Sequence, residues 1–525
     1  MTDPVLIVGA GPTGLTAALE LSRMGVAVRL IDKRQAPAAT SRAIGVQART
    51  LELLEQRGLA EEMVRLGNKG RFASIYGGGK RVFRLDFGHV ESRYPFMLLI
   101  SQAETERILR EAIARQGVTP QWNTELVGIG QDALSQDASP VQGILKLADG
   151  SLERVAAPWL ISAEGAHSLV RTTLDLPFEG HTREEQYVLG DLLVAPAGQR
   201  HLHLFVRSRL HGPVPNGRRA FPPYRLQSAQ QSFEGCRTFV GRITEDLRPA
   251  LAHPGAVPRP GVELVVPHQQ RMVSRLKVGR LLLGGDAAHI HSPAGAQGMN
   301  TGIQDMINVS WKLAMVMNGQ APPSILDTYE ADRLSVMRGV LFRTDTLTNV
   351  IGTENPIVRT LINHLGPFIG GAELVQENAT AGMSQVVLNY RNSSLSENHT
   401  HGGAIRAGDR VPDMPVRLRS DGNWKETTLL SALDASHLTL VAAVPDGTTL
   451  PSSLKACVPE SRFVEIAADA KDAARFETTF GKAGAAVLVR PDGYAGLTSP
   501  ISSAADHLAA YRRKWFSASA ADARS

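Results

Sequence analysis

Three stretches of this sequence carry residue types at spacings that suit a bound dinucleotide. Near the start, Gly9-Ala10-Gly11-Pro12-Thr13-Gly14 follows the apolar run Val5 to Val8 and leads into residues of helical periodicity. In such a strand–turn–helix, Gly9 permits the turn and Gly11 lets backbone close on a pyrophosphate, while Gly14 lets the helix pack on the strand. Asp32 ends a second apolar strand, Val26 to Ile31, where a carboxylate can accept hydrogen bonds from a ribose. Strand, glycine turn, helix, strand and acid make up a complete adenine-dinucleotide fingerprint. It does not choose between FAD and NAD.

The second stretch runs from Gly279 to Gly319. Leu281-Leu282-Leu283 reads as a buried strand ending in the turn Gly284-Gly285-Asp286. A loop of Gly, Ala and Pro follows, and a helix starts near Met299, with Ile303, Ile307, Trp311, Ala314 and Met317 on one helical spacing. A small-residue loop that feeds a helix N-terminus lets a flat, electron-rich group approach backbone N–H donors and the positive end of the helix dipole. In the third stretch, Trp159 to Ile161 reads as a strand, and Glu164-Gly165 starts a turn before an incipient helix. Glu164 can cap that helix or face a ribose or a nicotinamide amide. His289 and His291 lie close together, but with no third ligand nearby they do not make a metal site.

A chain of 525 residues exceeds one core, so two to four domains must position these motifs. With 43% hydrophobic and 20% charged residues the composition is that of a soluble globular protein. The net charge of +5 is spread without a basic block, which argues against a nucleic-acid partner. Two cysteines, Cys236 and Cys457, exclude a disulfide framework and a CxxC pair. No apolar run reaches membrane-spanning length and no signal peptide is visible, so a cytoplasmic protein is expected.

Ala39 to Val46 reads as a loop in which Arg42 is either solvated or meets a phosphate, and a helix follows to Gly58. Short strands occupy Phe72 to Ile100. Ser101 and Glu104 then form a capping box, which puts Gln102 in the first turn of a helix. From about Glu179 to Pro267 alternating strands predict an inserted antiparallel sheet, where His203, Arg207, Tyr224 and Phe239 are candidates to face a ligand, although core or surface positions would account for each. Ser324 to Met337 is an amphipathic helix, Asn349 to Gly371 reads as helix with breaks, and Gly402 to Pro412 reads as a linker. The remainder alternates strands and helices as a small α/β domain.

GAGPTG at Gly9 to Gly14, EGAHSLVR at Glu164 to Arg171 and GGDAAHIHSPAGAQGMNTGIQD at Gly284 to Asp305, in this order, resemble the single-component FAD-dependent aromatic hydroxylases. The most similar branch holds phenol-, pentachlorophenol- and polyketide-hydroxylating monooxygenases. The resemblance covers nearly the whole chain, including VLVRPDGYAG at Val487 to Gly496. It implies an α/β fold: a Rossmann-like FAD-binding domain, an inserted mainly antiparallel β-sheet substrate domain and a C-terminal thioredoxin-like domain. The corresponding ranges are 1–178, with 70–100 contributing to the substrate domain, then 179–270, 271–400 and 401–525.

By the same resemblance Gly9, Gly11, Pro12, Thr13, Gly14, Asp32 and Lys33 would hold the ADP half of FAD, with Arg42, Gln102 and Leu126 also touching the cofactor. Asp286 would bind the ribityl chain or its phosphate, and Pro293, Gly298, Met299 and Asn300 would line the isoalloxazine ring. Substrate would meet His203, Tyr224, Phe239, Pro293, Ala294 and Gly295. Glu164 stands where the family usually has Asp. The implied reaction uses NADPH or NADH as a transient reductant and dioxygen as co-substrate, and oxygenates a phenolic or polycyclic aromatic ring through a flavin C4a-hydroperoxide kept dry by the protein. No catalytic side chain and no metal is assigned, and a monomer or homodimer is expected. Baeyer–Villiger or antibiotic-modifying oxygenation, or a non-catalytic flavin scaffold, are the alternatives. A halogenase's WxWxI is missing, because Trp122, Trp159, Trp311, Trp424 and Trp515 lie far apart.

Overall fold

The computed structural model describes residues 3–37, 45–77, 80–130, 140–194, 200–208, 259–291, 296–351, 373–400, 402–420, 422–445, 448–459, 462–469 and 471–516. Val5–Val8 is buried at every position, as a strand must be when it has parallel neighbours on both sides and cover on both faces. It pairs in parallel with Val28–Ile31 and with Leu160–Ser162. Leu281–Leu283 continues the sheet in parallel, and the short Lys277–Val278 closes that edge antiparallel. The strand before the first glycine turn therefore lies inside the sheet, and the strands that lead into all three motifs are adjacent.

Helices follow in chain order as α1 (Pro12–Arg23), α2 (Ala48–Glu55), α3 (Ala60–Leu66), α4 (Gln102–Arg115), α5 (Leu169–Thr173), α6 (Gly298–Met317), α7 (Thr328–Ile351) and α8 (Glu373–Met383). Because side chains alternate along a strand, Val5 and Ile7 face Leu15 and Ala18 of α1, Leu109 and Ile113 of α4, and Val309 and Leu313 of α6 in one core. Leu6 and Val8 face the other way, onto Leu126, Val141 and Leu145 of a small antiparallel sheet made by Glu125–Ile129, Val141–Lys146 and Leu152–Ala157. A four-stranded antiparallel sheet is ordered Arg200–Ser208, Phe178–Val194, Arg259–Val273 and His289–Ile290. Its last strand belongs to the third motif. No helix among the described residues is long and apolar enough to cross a membrane.

Several boundaries differ from those read in the sequence. The second strand starts at Val28 rather than Val26, because the Val26 N–H bonds Leu21 O and finishes the turn that Gly25, at φ +76°, makes after α1. Ser324 falls in a short 3-10 turn, Pro323–Asp327, imposed by Pro322-Pro323, and one helix then runs from Thr328 to Ile351. The Ser101 hydroxyl does accept from Glu104 N at 3.2 Å, while the Glu104 carboxylate is engaged by Arg107. Gly402 to Pro412 is a packed segment rather than a free linker. Ile405, Ala407 and Val411 are buried, and Gly408 at φ +90° brings its backbone so close to Arg391 that a Cβ would stand 2.4 Å from Arg391 N.

The C-terminal part is a seven-stranded mixed sheet, ordered Glu397–Asn398, Ala495–Ser499, Ala485–Val489, Thr439–Ala443, Phe463–Ala468, Pro415–Ser420 and Asn423–Thr428. Its turn after Val489 carries Arg490 and Asp492 into a buried ion network. Arg490 donates to Asp332 of α7 at 2.7 Å and to Asp492 at 3.0 Å, and Lys312 of α6 donates to the same Asp332 at 2.8 Å. Asn308 of α6 bridges Asp332 and Asp492, at 2.9 Å from each. Removing one member leaves opposite charges uncompensated in the interior. Arg490→Met should therefore cost about 3–5 kcal/mol of stability, read as a lowered urea midpoint; an unchanged midpoint would show that the network is not holding the two parts together.

Candidate active site

Close backbone approach builds the site. Gly9 has φ +105°, and a Cβ there would lie 2.2 Å from Ala163 O, so the first motif rests directly on the strand end that leads to Glu164. A Cβ on Gly14 would lie 1.8 Å from Gly9 O, which is how α1 comes down onto its strand. Thr13 presses on the third motif: a Cβ on Gly285 or on Gly302 would meet its Oγ1 at 2.5 and 2.6 Å. Gly11 is different. Among the described residues nothing lies within 4 Å of its missing Cβ, and no side chain caps the α1 N-terminus that starts beside it. An open glycine turn with uncapped helical N–H groups is an anion seat.

Polar side chains line up at one end of this opening. Asp32 is buried and accepts from Ala10 N at 2.7 Å, so the acid braces the glycine turn itself. It also accepts from Arg34 N at 2.8 Å and from its guanidinium at 2.9 and 3.0 Å. Arg34 stands 3.9 Å from Glu106, which takes a hydrogen bond from Gln102 at 2.8 Å. Burial raises the Glu106 carboxyl above its ordinary range, against the pull of Gln102 and Arg34, and its Oε2 has no hydrogen-bond partner among the described residues. Lys33 is exposed, 4.0 Å from Glu125, and Leu126 points into the core under the sheet.

The Glu164 carboxylate is spent inside its own turn. It accepts from the hydroxyls of Ser162 and Ser168 at 2.7 and 2.6 Å and from Leu169 N and Val170 N at 3.0 and 3.2 Å, which ties down the start of α5. Asp286 is exposed in the 3-10 turn Gly285–Ala287. At the start of α6 the Asn300 side chain is buried and clamps a neighbouring strand: it donates to Gly45 O at 2.9 Å and to Ala296 O at 2.7 Å, and accepts from Gln47 N at 2.9 Å. Met299 packs on Leu53, Ile303 and Ile307. Gly298 opens the helix, again with no side-chain cap. Arg42, Tyr224, Phe239, Pro293, Ala294 and Gly295 lie outside the described residues, and for His203 only the backbone of the strand Arg200–Ser208 is described.

Comparison with known proteins matches this arrangement to a family. Residues 2–344 fit the FAD binding domain family, and residues 405–519 fit the aromatic-ring hydroxylase C-terminal family. This chain is an FAD-dependent aromatic hydroxylase. It is 34% identical over 520 residues to a 6-methylpretetramide 4-monooxygenase of Streptomyces rimosus, covering 93% of this chain and 89% of that one. It is 32% identical over 437 residues to a pentachlorophenol 4-monooxygenase of Sphingobium chlorophenolicum, covering 79% and 76%. The solved structure of an anhydrotetracycline hydroxylase from Streptomyces rimosus superimposes with a TM-score of 0.72 at 26% identity, over 98% of this chain and 99% of the other.

The residues of the hydroxylase fit FAD. The space over Gly11 and the uncapped α1 N-terminus suit a pyrophosphate, and the Asp32–Arg34–Glu106–Gln102 line, with its unmade hydrogen bond at Glu106, suits the polar adenosine end. Arg34 and Glu106 were not read from the sequence as functional; the signal available was that Glu106 falls one helical turn after Gln102. Asp305 was also missed, although it is the last residue of the third motif. It is buried, accepts from Gly285 N at 3.1 Å and from Arg333 at 2.7 Å, and holds His289 Nε2 at 2.6 Å. His289 is thus committed to a carboxylate. A buried amide chain supports the loop from behind: Gln304 donates to Gln385 at 2.6 Å, Gln385 to Gln297 at 2.7 Å, and Gln297 to Met383 O at 3.2 Å.

Three outcomes test this geometry. Gly11→Ala should leave the apo fold within about 0.5 kcal/mol of wild type and abolish bound FAD, whereas Gly9→Ala should also destabilise the apo protein by about 2–3 kcal/mol; thermal melts and flavin absorbance separate the two. Ala296 sits at φ +52°, so Ala296→Gly should raise stability by about 1 kcal/mol, provided the melt is compared without cofactor. Burial disfavours the Asp305 carboxylate, but Arg333 and His289 outweigh it and hold the group at about 2, below the ordinary 3.8. A depressed carboxyl contributes stability above its unfolded value and loses it as pH falls through the folded one. Between about pH 4 and pH 2 that loss is about 2 kcal/mol, and it should be absent from the acid limb of Asp305→Asn in guanidinium titrations.

Proposed function

We propose that this hydroxylase uses a reduced nicotinamide and dioxygen to insert one oxygen atom into a phenolic or polycyclic aromatic ring. The observation that carries the reading is the convergence of all three motifs on one seam, where Gly9 meets Ala163 and Thr13 meets Gly285 and Gly302. The relatives' names support the substrate class, one of them being a chlorinated phenol. The chain has a single dinucleotide fingerprint, so the nicotinamide visits and leaves while FAD stays.

When bound, FAD supplies hydride acceptance and oxygen activation. The protein supplies the rest. Gly11 and the α1 N-terminus hold the pyrophosphate, and Asp32, Arg34, Glu106 and Gln102 hold the adenosine end. Asp286 would meet the ribityl portion, and by the family resemblance the stretch from Pro293 to Asn300 would line the flavin ring and the substrate space. The uncapped α6 N-terminus would offer N–H donors to the edge of that ring, where negative charge is best accommodated. With its carboxylate bonded into the α5 cap, Glu164 acts as a positioning residue for the turn beside Gly9. The sheet of Phe178–Val194, Arg200–Ser208 and Arg259–Val273 would form the opposite wall and keep water from the ring. The C-terminal sheet is read as a thioredoxin-like unit without a redox cysteine pair, in a cytoplasmic monomer or homodimer.

With purified yellow enzyme, NADPH or NADH oxidation should accelerate at least about tenfold when a suitable phenol or polycyclic phenol is added, and the product should gain one oxygen by mass. A broad panel that never alters the oxidation rate would sink the proposal.

A further inference from the structure

Three buried imidazole nitrogens with no hydrogen-bond partner among the described residues lie where the third motif joins the substrate-side sheet. His289 and Ile290 form the edge strand of that sheet, opposite Met272 and Arg271. His289 Nε2 lies 2.6 Å from Asp305 Oδ2. Asp305 is an ionised acceptor, so Nε2 carries the proton, and His289 Nδ1 is left without a partner. His291, immediately after that strand, has its ring centroid 4.7 Å from that of His289. Both of its nitrogens are buried and unpartnered. Each unmade hydrogen bond of this kind leaves the group its full desolvation penalty, and a leucine would fill the volume without that cost. Such a group is explained by a polar partner that arrives with a ligand. His291 follows directly on the edge strand His289–Ile290 of that sheet, which itself follows the Gly285–Ala287 turn.

We propose that His291 is the base that takes the proton from the hydroxyl of a phenolic substrate, with His289 and Asp305 behind it to receive the charge. This rests on the aromatic reading above. In the step, the phenol O–H bond breaks, the proton passes to a ring nitrogen of His291, and the electron pair stays on the phenolate oxygen, which enriches the ring for attack. Nothing is oxidised or reduced. Burial, with His289 adding to it, holds the imidazole well below its ordinary range, so it is neutral before the substrate binds and gains basicity from the negative charge of the phenolate that forms beside it. The charged and titratable groups around it are His289 two residues before it, Asp305 from α6 and Arg333 from α7. Asp305 opposes the burial effect and offers the counter-charge once the proton has arrived, with the free nitrogen of His289 placed to share it.

Indicator phenols test this without turnover. In FAD-loaded enzyme free of nicotinamide, 4-nitrophenol and the tricyclic phenol alizarin are titrated from about pH 5 to pH 8, and the ionised form is read by absorbance. Wild type should bind the probe ionised at least about one pH unit below its free value, a tenfold shift in the ionisation constant. His291→Gln should bind the neutral probe within about threefold and return its ionisation to the free value. His289→Gln should fall between the two. Identical bound-probe titrations for wild type and His291→Gln overturn the assignment. A measurement without any variant reads the same point: the 15N signals of His291 in wild type should move toward imidazolium when probe binds, and unmoved signals overturn it. A wild type that binds neither probe overturns this inference, while the aromatic reading falls only if the broad phenol panel also leaves NADPH and NADH oxidation unchanged.

Discussion

The arrangement around the cofactor depends on one buried carboxylate. Asp305 holds three elements that are far apart in sequence: the Gly284-Gly285-Asp286 turn through the Gly285 N–H, the strand His289–Ile290 through the imidazole of His289, and helix α7 through Arg333. Arg333 in turn donates to the Tyr390 hydroxyl at 2.9 Å and to Thr301 O at 3.1 Å, which fixes the first turn of α6. A charge so deep is tolerable because it is fully compensated, and its rigidity is the return. The turn, the strand and the helix start cannot drift relative to one another without breaking a charge-assisted hydrogen bond.

Around that post the glycines set distances. Contacts of 1.8 to 2.6 Å between would-be Cβ atoms and neighbouring atoms at Gly14, Gly9, Gly285 and Gly302 mean that the first motif lies backbone to backbone on the strand end before Glu164 and meets the third through the Thr13 side chain. Gly11 faces open space instead, so the same residue type serves packing at four positions and a vacant approach at a fifth. The first kind of glycine answers to the fold and the second to the ligand, although nothing in the residue type tells them apart.

Legibility followed sequence locality. The fingerprint and the helix starting near Met299 could be read because a strand, a turn and a helix in succession leave periodic apolar residues and glycines at fixed offsets. Tasks that a residue performs for a distant partner left no such trace. Asp32 was readable as a ribose acid but not as the brace of Ala10 N, and Glu106 looked like any carboxylate on an amphipathic helix until burial and Gln102 gave it meaning. Glu164 is the instructive case: the departure from Asp is visible in the sequence, but the four hydrogen bonds that absorb the longer side chain exist only in the folded turn. Gly402 to Pro412 was misread because Gly, Pro and charged residues signal turns, and a turn packed against Arg391 has the same composition as one in solvent.

The network at Arg490 bears on how this architecture can be reshuffled. Arg49 of α2 donates to Asp492 O at 2.8 Å, and Arg410 donates to Glu52 of α2 at 3.0 Å, so the C-terminal sheet is tied to the cofactor half from several directions besides Asp332. A C-terminal unit transplanted from a relative would arrive with its own turn chemistry but meet Asp332, Lys312, Arg49 and Glu52 already buried and awaiting partners. Chimeras in this family should therefore succeed or fail on whether those few charges travel with the graft. The unit of exchange is the sheet together with its sockets on α2, α6 and α7.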